Sequence, residues 1–266
     1  MQETVAKPTL PIWPTVQSAW AMLAIHPGAA LVLAVPAANM ALAARIVRPA
    51  IWPGVPDSVL AENVVFFFAN MNLHILAFAA AMPMLAAWHR LVAEPAAATK
   101  YRVSDVEWGY LWRAVGLFVF VYLIAIPGAT VFGLMHGHLA ALADHFDAPS
   151  TLLQMFSLPA YGLVAGIILR LCLILPTAAC GDAISYSDSW QGSQGNTWRL
   201  AAAAGLTIFP IAAVWLALEM LPAPASLGPL VAREVVNVSL AMITLYLAAG
   251  LISIAEVTLS TPEVDE

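Results

Sequence analysis

The sequence predicts an all-α fold: a polytopic transmembrane helical bundle with six spans, arranged as three parallel hairpin repeats with interfacial lead-in helices. Composition points there first. Of 266 residues, 62% are hydrophobic and only 10% are charged, against about 45–50% and about 25% in an average soluble domain. A water-soluble core cannot hide that much apolar surface, because much of any folded surface faces the solvent. Here that solvent is hydrocarbon. Six apolar runs supply the second observation, each about as long as the roughly 20 residues that cross a bilayer as a helix. The third is a polar-aromatic segment that recurs ahead of every second run.

The runs cover 28–47, 64–88, 110–135, 152–177, 200–221 and 235–257. Breakers separate them: Arg48-Pro49 to Pro56, Glu94-Pro95, Pro149, Gly181 to Gly195, and Pro222 to Pro229. Proline and glycine clusters of this kind interrupt helices. Pro36, Pro83, Pro127, Pro159, Pro176 and Pro210 lie within five of the six runs, and Pro210 interrupts the fifth. Each removes a backbone donor and can kink its helix, yet proline is common in membrane helices, so these say nothing about a cavity.

Orientation follows from Lys/Arg placement in the short loops. With the N-terminus cytosolic, that side receives six (Lys7, Arg90, Lys100, Arg102, Arg113, Arg199) and the other three (Arg45, Arg48, Arg233). Both termini are therefore expected in the cytosol. Seven of the nine tryptophans, Trp13, Trp20, Trp88, Trp108, Trp112, Trp190 and Trp198, share the cytosolic side, and indoles favour the headgroup level. The start MQETVAKPTLPIWP lacks the basic, apolar and small-residue stretches of a cleaved signal, so it is expected to stay on. Net charge is −6 and the cations are scattered, which leaves no basic face for nucleic acid. Cys172 and Cys180, eight apart near the end of one run, are too far apart along a helix to bond and are expected as free thiols.

The recurring segments are Gln17-Ser18-Ala19-Trp20 leading to His26-Pro27-Gly28, then Ser104-Asp105-Val106-Glu107-Trp108 with Trp112-Arg113, then Ser187-Asp188-Ser189-Trp190 with Trp198-Arg199. Trp20, Trp108 and Trp190 are separated by 88 and 82 residues, close to a third of the chain each time. Each unit is thus an amphipathic helix lying in the membrane plane, followed by a transmembrane hairpin. Two spans per unit give all units one orientation, so the repeats (15–90, 100–180 and 185–260, within a single membrane domain 1–266) are parallel.

The stretch SDSWQGSQGNTWRL from Ser187 to Leu200, behind RLCLILPTAAC, resembles the signature of an uncharacterised group of bacterial six-span membrane proteins. That group is related to the membrane domain found beside some glycerophosphodiester phosphodiesterases. The join from Trp88-His89-Arg90 to Trp112-Arg113 is similar to the group's middle cytosolic loop. The resemblance covers about residues 15 to 260. It implies an α-helical inner-membrane protein. It carries over no catalytic residues, since the phosphodiesterase activity belongs to a separate soluble barrel, and it names no substrate.

Polar residues within the apolar runs are the candidate sites. Gly162, Gly166 and Arg170 follow at four-residue intervals and share one helix face. The glycines admit a close helix neighbour. An arginine there costs about 2.5–3.5 kcal/mol unless it snorkels or pairs, and Glu256, at the cytosolic end of the sixth run, is the expected partner. Arg170 is expected as a packing clamp, with contact to a substrate anion as the alternative. Near the midplane lie Asn39, His74, Tyr122, Thr244 and Tyr246, and Asn63, Asn70 and His74 form one stripe. Such residues serve as interhelical glue or line a polar cavity. No carboxylate lies near the middle of a run, which argues against a proton- or sodium-coupled pump. His136, His138 and His145, with Asp144 and Asp147, are weak metal candidates without a second shell or ligand spacing, so no cofactor is expected. Serine-hydrolase elbows, phosphate loops and zinc-protease helices are absent, and Gly192-x-x-Gly195 leads into Trp198-Arg199 rather than a Lys/Ser pair.

By subtraction the expected role is non-enzymatic: a scaffold or accessory subunit whose partners are membrane lipid and another membrane protein. The alternative is a transporter or lipid-handling protein with a cavity lined by Asn39, Asn70, His74, Tyr122 and Tyr246. A metal-dependent enzyme at the outer-face histidines is the third reading.

Overall fold

The computed structural model describes residues 8–51, 64–93, 108–121, 123, 158–181, 184–221 and 227–260. Among them every regular element is a helix. In chain order these are α1 (Ile12–Ile25), α2 (Pro27–Ile51), α3 (Val64–Ala93), α4 (Trp108–Val121), α5 (Leu158–Cys172), α6 (Ile174–Ala179), α7 (Tyr186–Gly192), α8 (Thr197–Glu219) and α9 (Leu227–Ser260).

Three described stretches are long and apolar enough to cross a membrane: Gly162–Ala179, Thr197–Leu218 and Gly228–Ser260. A fourth is added if α1 and α2 count as one broken span. They correspond to the fourth, fifth and sixth runs. The chain is therefore a helical membrane protein.

The break between α1 and α2 has a local cause. Pro27 brings no N–H and disfavours helical backbone in the residue before it, so His26 leaves the helical region with φ −117° and ψ 45°. Proline suits the first position of the next helix, and the axis turns by 84° there. A helix set nearly perpendicular to its successor is the geometry expected of a lead-in. The fourth run is also interrupted. Pro176 crowds the carbonyl four residues back, at Cys172, and Leu173 forms a turn between α5 and α6. By contrast Pro210 lies inside α8, which continues over 23 residues. Of the third run, 110–135, only 110–121 and 123 lie within the described residues. The second and sixth are longer than their apolar patterns suggest, at 30 and 34 residues. At 34 residues α9 is about 50 Å long, so it outreaches a hydrocarbon core of about 30 Å.

Helix α9 is the hub, packed against α1, α2, α3, α6 and α8. Its faces divide the work. Val238, Met242, Tyr246 and Ala249 meet Ala30 and Ala37 of α2 and Met84 and Trp88 of α3. Leu251 meets Val16 and Ala19 of α1 with Ala203 of α8. On the far side of α3, Met82 and Ala86 join Tyr110 and Ala114 of α4 and Ala178 and Ala179 of α6, and Phe78 lies 4.4 Å from Phe118 between ring centroids.

The pattern is cyclic. Helices α3, α6 and α9, which end the even-numbered runs, all touch one another. Each helix of an odd-numbered run packs against helices of two even-numbered runs: α2 against α3 and α9, α4 against α3 and α6, and α8 against α5 and α9.

Candidate functional site

The contacts gather the starts of α1, α4 and α8 and the ends of α3, α6 and α9 into one collar. Arg90 Nε donates to the Ala179 carbonyl. Tyr186 Oη donates to the Arg113 carbonyl at 3.2 Å, and Leu10 packs on Leu200 and Leu259. Five tryptophans, Trp13, Trp108, Trp112, Trp190 and Trp198, are exposed around it. Of the other two tryptophans expected on this side, Trp88 is completely buried against Tyr246 and Trp20 is half-buried.

Arg170 is the best-anchored side chain of the collar. It is 6% exposed. Its Nε donates to Ser193 Oγ at 3.0 Å, Nη1 donates to Thr197 Oγ1 at 3.3 Å, and Nη2 donates to the Trp190 carbonyl. The guanidinium carbon stands 3.6 Å from the Trp190 ring centroid, a cation–π contact. The groups that hold it in these bonds come from the 190–197 segment, and Glu256 of α9 is half-buried. The seat is a shell of neutral acceptors and an aromatic face.

The glycines of the same face define how close that segment comes. A Cβ on Gly166 would stand 2.4 Å from the Thr197 carbonyl oxygen, and one on Gly162 would stand 3.1 Å from Trp198. Their neighbour is the chain's own α8, so this face is filled from within.

The motif Ser187-Asp188-Ser189-Trp190 now has a physical meaning. Helix α7 opens with a capping box: Asp188 N–H donates to Ser185 Oγ at 3.1 Å, and Ser185 N–H donates back to Asp188 Oδ2 at 3.0 Å. Both orphan amides are satisfied. With the helix so started, Ser189 is buried and donates to the Arg170 carbonyl, and Trp190 lies beneath the guanidinium. The Ser185 hydroxyl and amide hold the Asp188 carboxyl below its ordinary value. A depressed carboxylate stabilises the fold above its ordinary pKa, and that contribution disappears as pH falls through the lowered value. Asp188→Asn should therefore melt earlier than the parent at neutral pH. The two should converge in acid, as followed by thermal unfolding in detergent.

At the centre of the collar His89 is 1% exposed. Its Nδ1 lies 2.7 Å from Ser253 Oγ. Ser253 Oγ also lies 3.0 Å from the Ala249 carbonyl, so one hydroxyl links the imidazole to the α9 backbone. The ring also faces Tyr110, 6.0 Å between centroids. Ser253→Ala should cost about 1–3 kcal/mol, since it strands a buried ring nitrogen. Adding His89→Leu should restore part of the loss. Chemical or thermal unfolding of the single and double variants checks both.

The midplane candidates divide. Tyr246 is buried, donates to the Ala30 carbonyl at 2.7 Å and stacks at 4.6 Å on Trp88. Thr244 donates to Leu240 within its own helix at 2.9 Å. Asn39 is on an exposed face of α2. Asn70 and His74 lie on α3 with side chains outside the described set, and Tyr122, His136, His138 and His145 lie outside the described residues. Among the described residues no group of three His, Cys, Asp or Glu side chains could hold a metal ion. Neither Cys172 nor Cys180 is in a disulfide among the described residues, as expected.

Three features went unread in the sequence: His89, Asn196, and the extended segment 8–11. Asn196 Oδ1 accepts from Leu10 N–H at 2.9 Å and its Nδ2 donates to the Pro8 carbonyl at 3.0 Å. The available signal was an asparagine immediately before a helix start, though its side chain caps no helix. A cavity of about 350 Å³ opens beside it, lined by Pro8, Thr9, Gln194, Gly195 and Asn196. No protein-family model, curated protein or solved structure matches this chain.

Proposed function

We propose that this chain is a six-span bacterial inner-membrane protein, with both termini cytosolic, acting as a non-enzymatic scaffold or accessory subunit through helix contacts and its collar. One observation carries the reading. The buried polar side chains of the collar, Arg170, His89, Asn196 and Ser253, bond to other parts of the same collar, so they rigidify a platform of exposed tryptophans. Rigid presentation of aromatic surface is what a contact protein needs. The cyclic placement of odd-run helices between even-run helices supports three co-oriented hairpins. The resemblance of the 187–200 segment to the bacterial six-span group is part of the same proposal.

The test is purification in several mild detergents with mass measurement of the particle. A stoichiometric complex, with itself or a second membrane protein, is expected. A lone monomer in every detergent contradicts the proposal.

A further inference from the structure

The segment before α1 is held as a ligand is held. Residues 8–11 have no secondary structure of their own, yet Leu10 is completely buried. Its side chain enters a pocket of Leu173, Leu200, Ile252, Ala255 and Leu259. Its backbone is bracketed on both sides. The Asn196 amide pairs with the Leu10 N–H and the Pro8 carbonyl in the two-bond manner of an adjacent peptide strand, and Arg199 Nη1 donates to the Leu10 carbonyl at 3.1 Å. With the strap in place Asn196 is 2% exposed. Thr9 and Pro11, either side of the anchor, are exposed. Backbone pairing plus one side-chain pocket is the logic of extended-peptide recognition. The flanking prolines restrict the unbound strap and reduce the entropy lost on docking.

We propose that Asn196, Arg199 and the Leu10 pocket form a recognition site for an extended Pro-x-Leu-Pro peptide segment, with residues 8–11 as its resident, exchangeable ligand. The strap leads directly into α1, which packs on α8 and α9. Occupancy of the site therefore sets whether the first lead-in helix is fastened to the third unit. A segment of the same chemistry on another chain gains access by displacing the strap. The inference is independent of the scaffold reading, because it concerns what the groove binds and not what the protein assembles with.

The probe is a fluorescent peptide of the chain's own residues 7–13, KPTLPIW, titrated in detergent against the intact chain and a variant lacking residues 2–10. Saturable binding to the truncated chain is expected, weaker by about tenfold or more for the intact chain, whose strap competes. A peptide with alanine for Leu10, or Asn196→Ala in the truncated chain, should lose about tenfold or more. Equal binding of the two peptides, or no binding by a folded truncated chain, overturns the proposal. Should the truncation not fold, full-length Leu10→Ala is read by hydrogen exchange. Faster exchange confined to α1 is expected, and unchanged protection of α1 overturns it.

Discussion

Arg170→Met is expected to lower the stability of the folded chain by about 3 kcal/mol. Methionine keeps the length and most of the apolar contact of the side chain, so the loss isolates the guanidinium. Three nitrogens bond to Ser193, Thr197 and the Trp190 carbonyl, and the charged plane faces the Trp190 ring. Removing them leaves acceptors without partners in a nearly closed space. The effect should not be confined to α5. Ser193 also donates to the Ser189 carbonyl at 2.7 Å, so the loop from α7 to α8 loosens with it. Arg170→Lys should recover little, because an ammonium cannot reach three separated acceptors and stack on an indole at once. Thermal unfolding in detergent measures the loss, and the near-ultraviolet signal of Trp190 reports the loop. A change below about 0.5 kcal/mol would place Arg170 among ordinary surface residues.

Gly166→Ala is the second large effect, at about 2 kcal/mol, in the range of overpacked cores. The added carbon would lie 2.4 Å from the Thr197 carbonyl oxygen and 2.8 Å from Thr197 Cγ2. Those atoms begin α8, so relief requires that helix to move away, and Arg170 loses its Thr197 contact as it does. Position 205 provides the control. A Cβ on Gly205 meets nothing within 4 Å, and alanine is the better helix former by about 1 kcal/mol. Gly205→Ala should therefore stabilise α8 while Gly166→Ala separates it from α5. Gly162→Ala should fall between them, since its obstacle is the edge of the Trp198 ring, 3.1 Å away. Melting temperatures of the three variants give the order directly.

What was legible in the sequence follows from which physics is local. Hydrophobic length is local, so the fifth and sixth runs correspond to α8 and α9, and the stop at His26 could be read from Pro27 alone. The Gly162, Gly166, Arg170 face was legible because a four-residue interval fixes one side of a helix. Its neighbour was not. Charge bookkeeping favoured Glu256, the nearest carboxylate by depth. The guanidinium bonds to neutral oxygens and faces an indole only 20 to 27 residues further along the chain. A carbonyl exposed at the end of a short capped helix has no sequence signature. His89 was passed over because it sits between Trp88 and Arg90 and resembles part of an interfacial anchor. Its partner Ser253 is 164 residues away. The strap was invisible for the same reason, since Leu10 and Asn196 are 186 residues apart.

The central claim is that these helices cross a membrane with the collar on one face. It is tested most directly by single-cysteine accessibility in a chain freed of Cys172 and Cys180. Reporters at Gln17 and Gln191 lie on exposed sites of the collar, and one at Met220 lies at the far end of α8. A membrane-impermeant maleimide should label Gln17→Cys and Gln191→Cys from the cytosolic side only, and Met220→Cys from the opposite side only. Labelling of positions 191 and 220 from the same side would contradict the account, as would labelling of 17 and 191 from opposite sides.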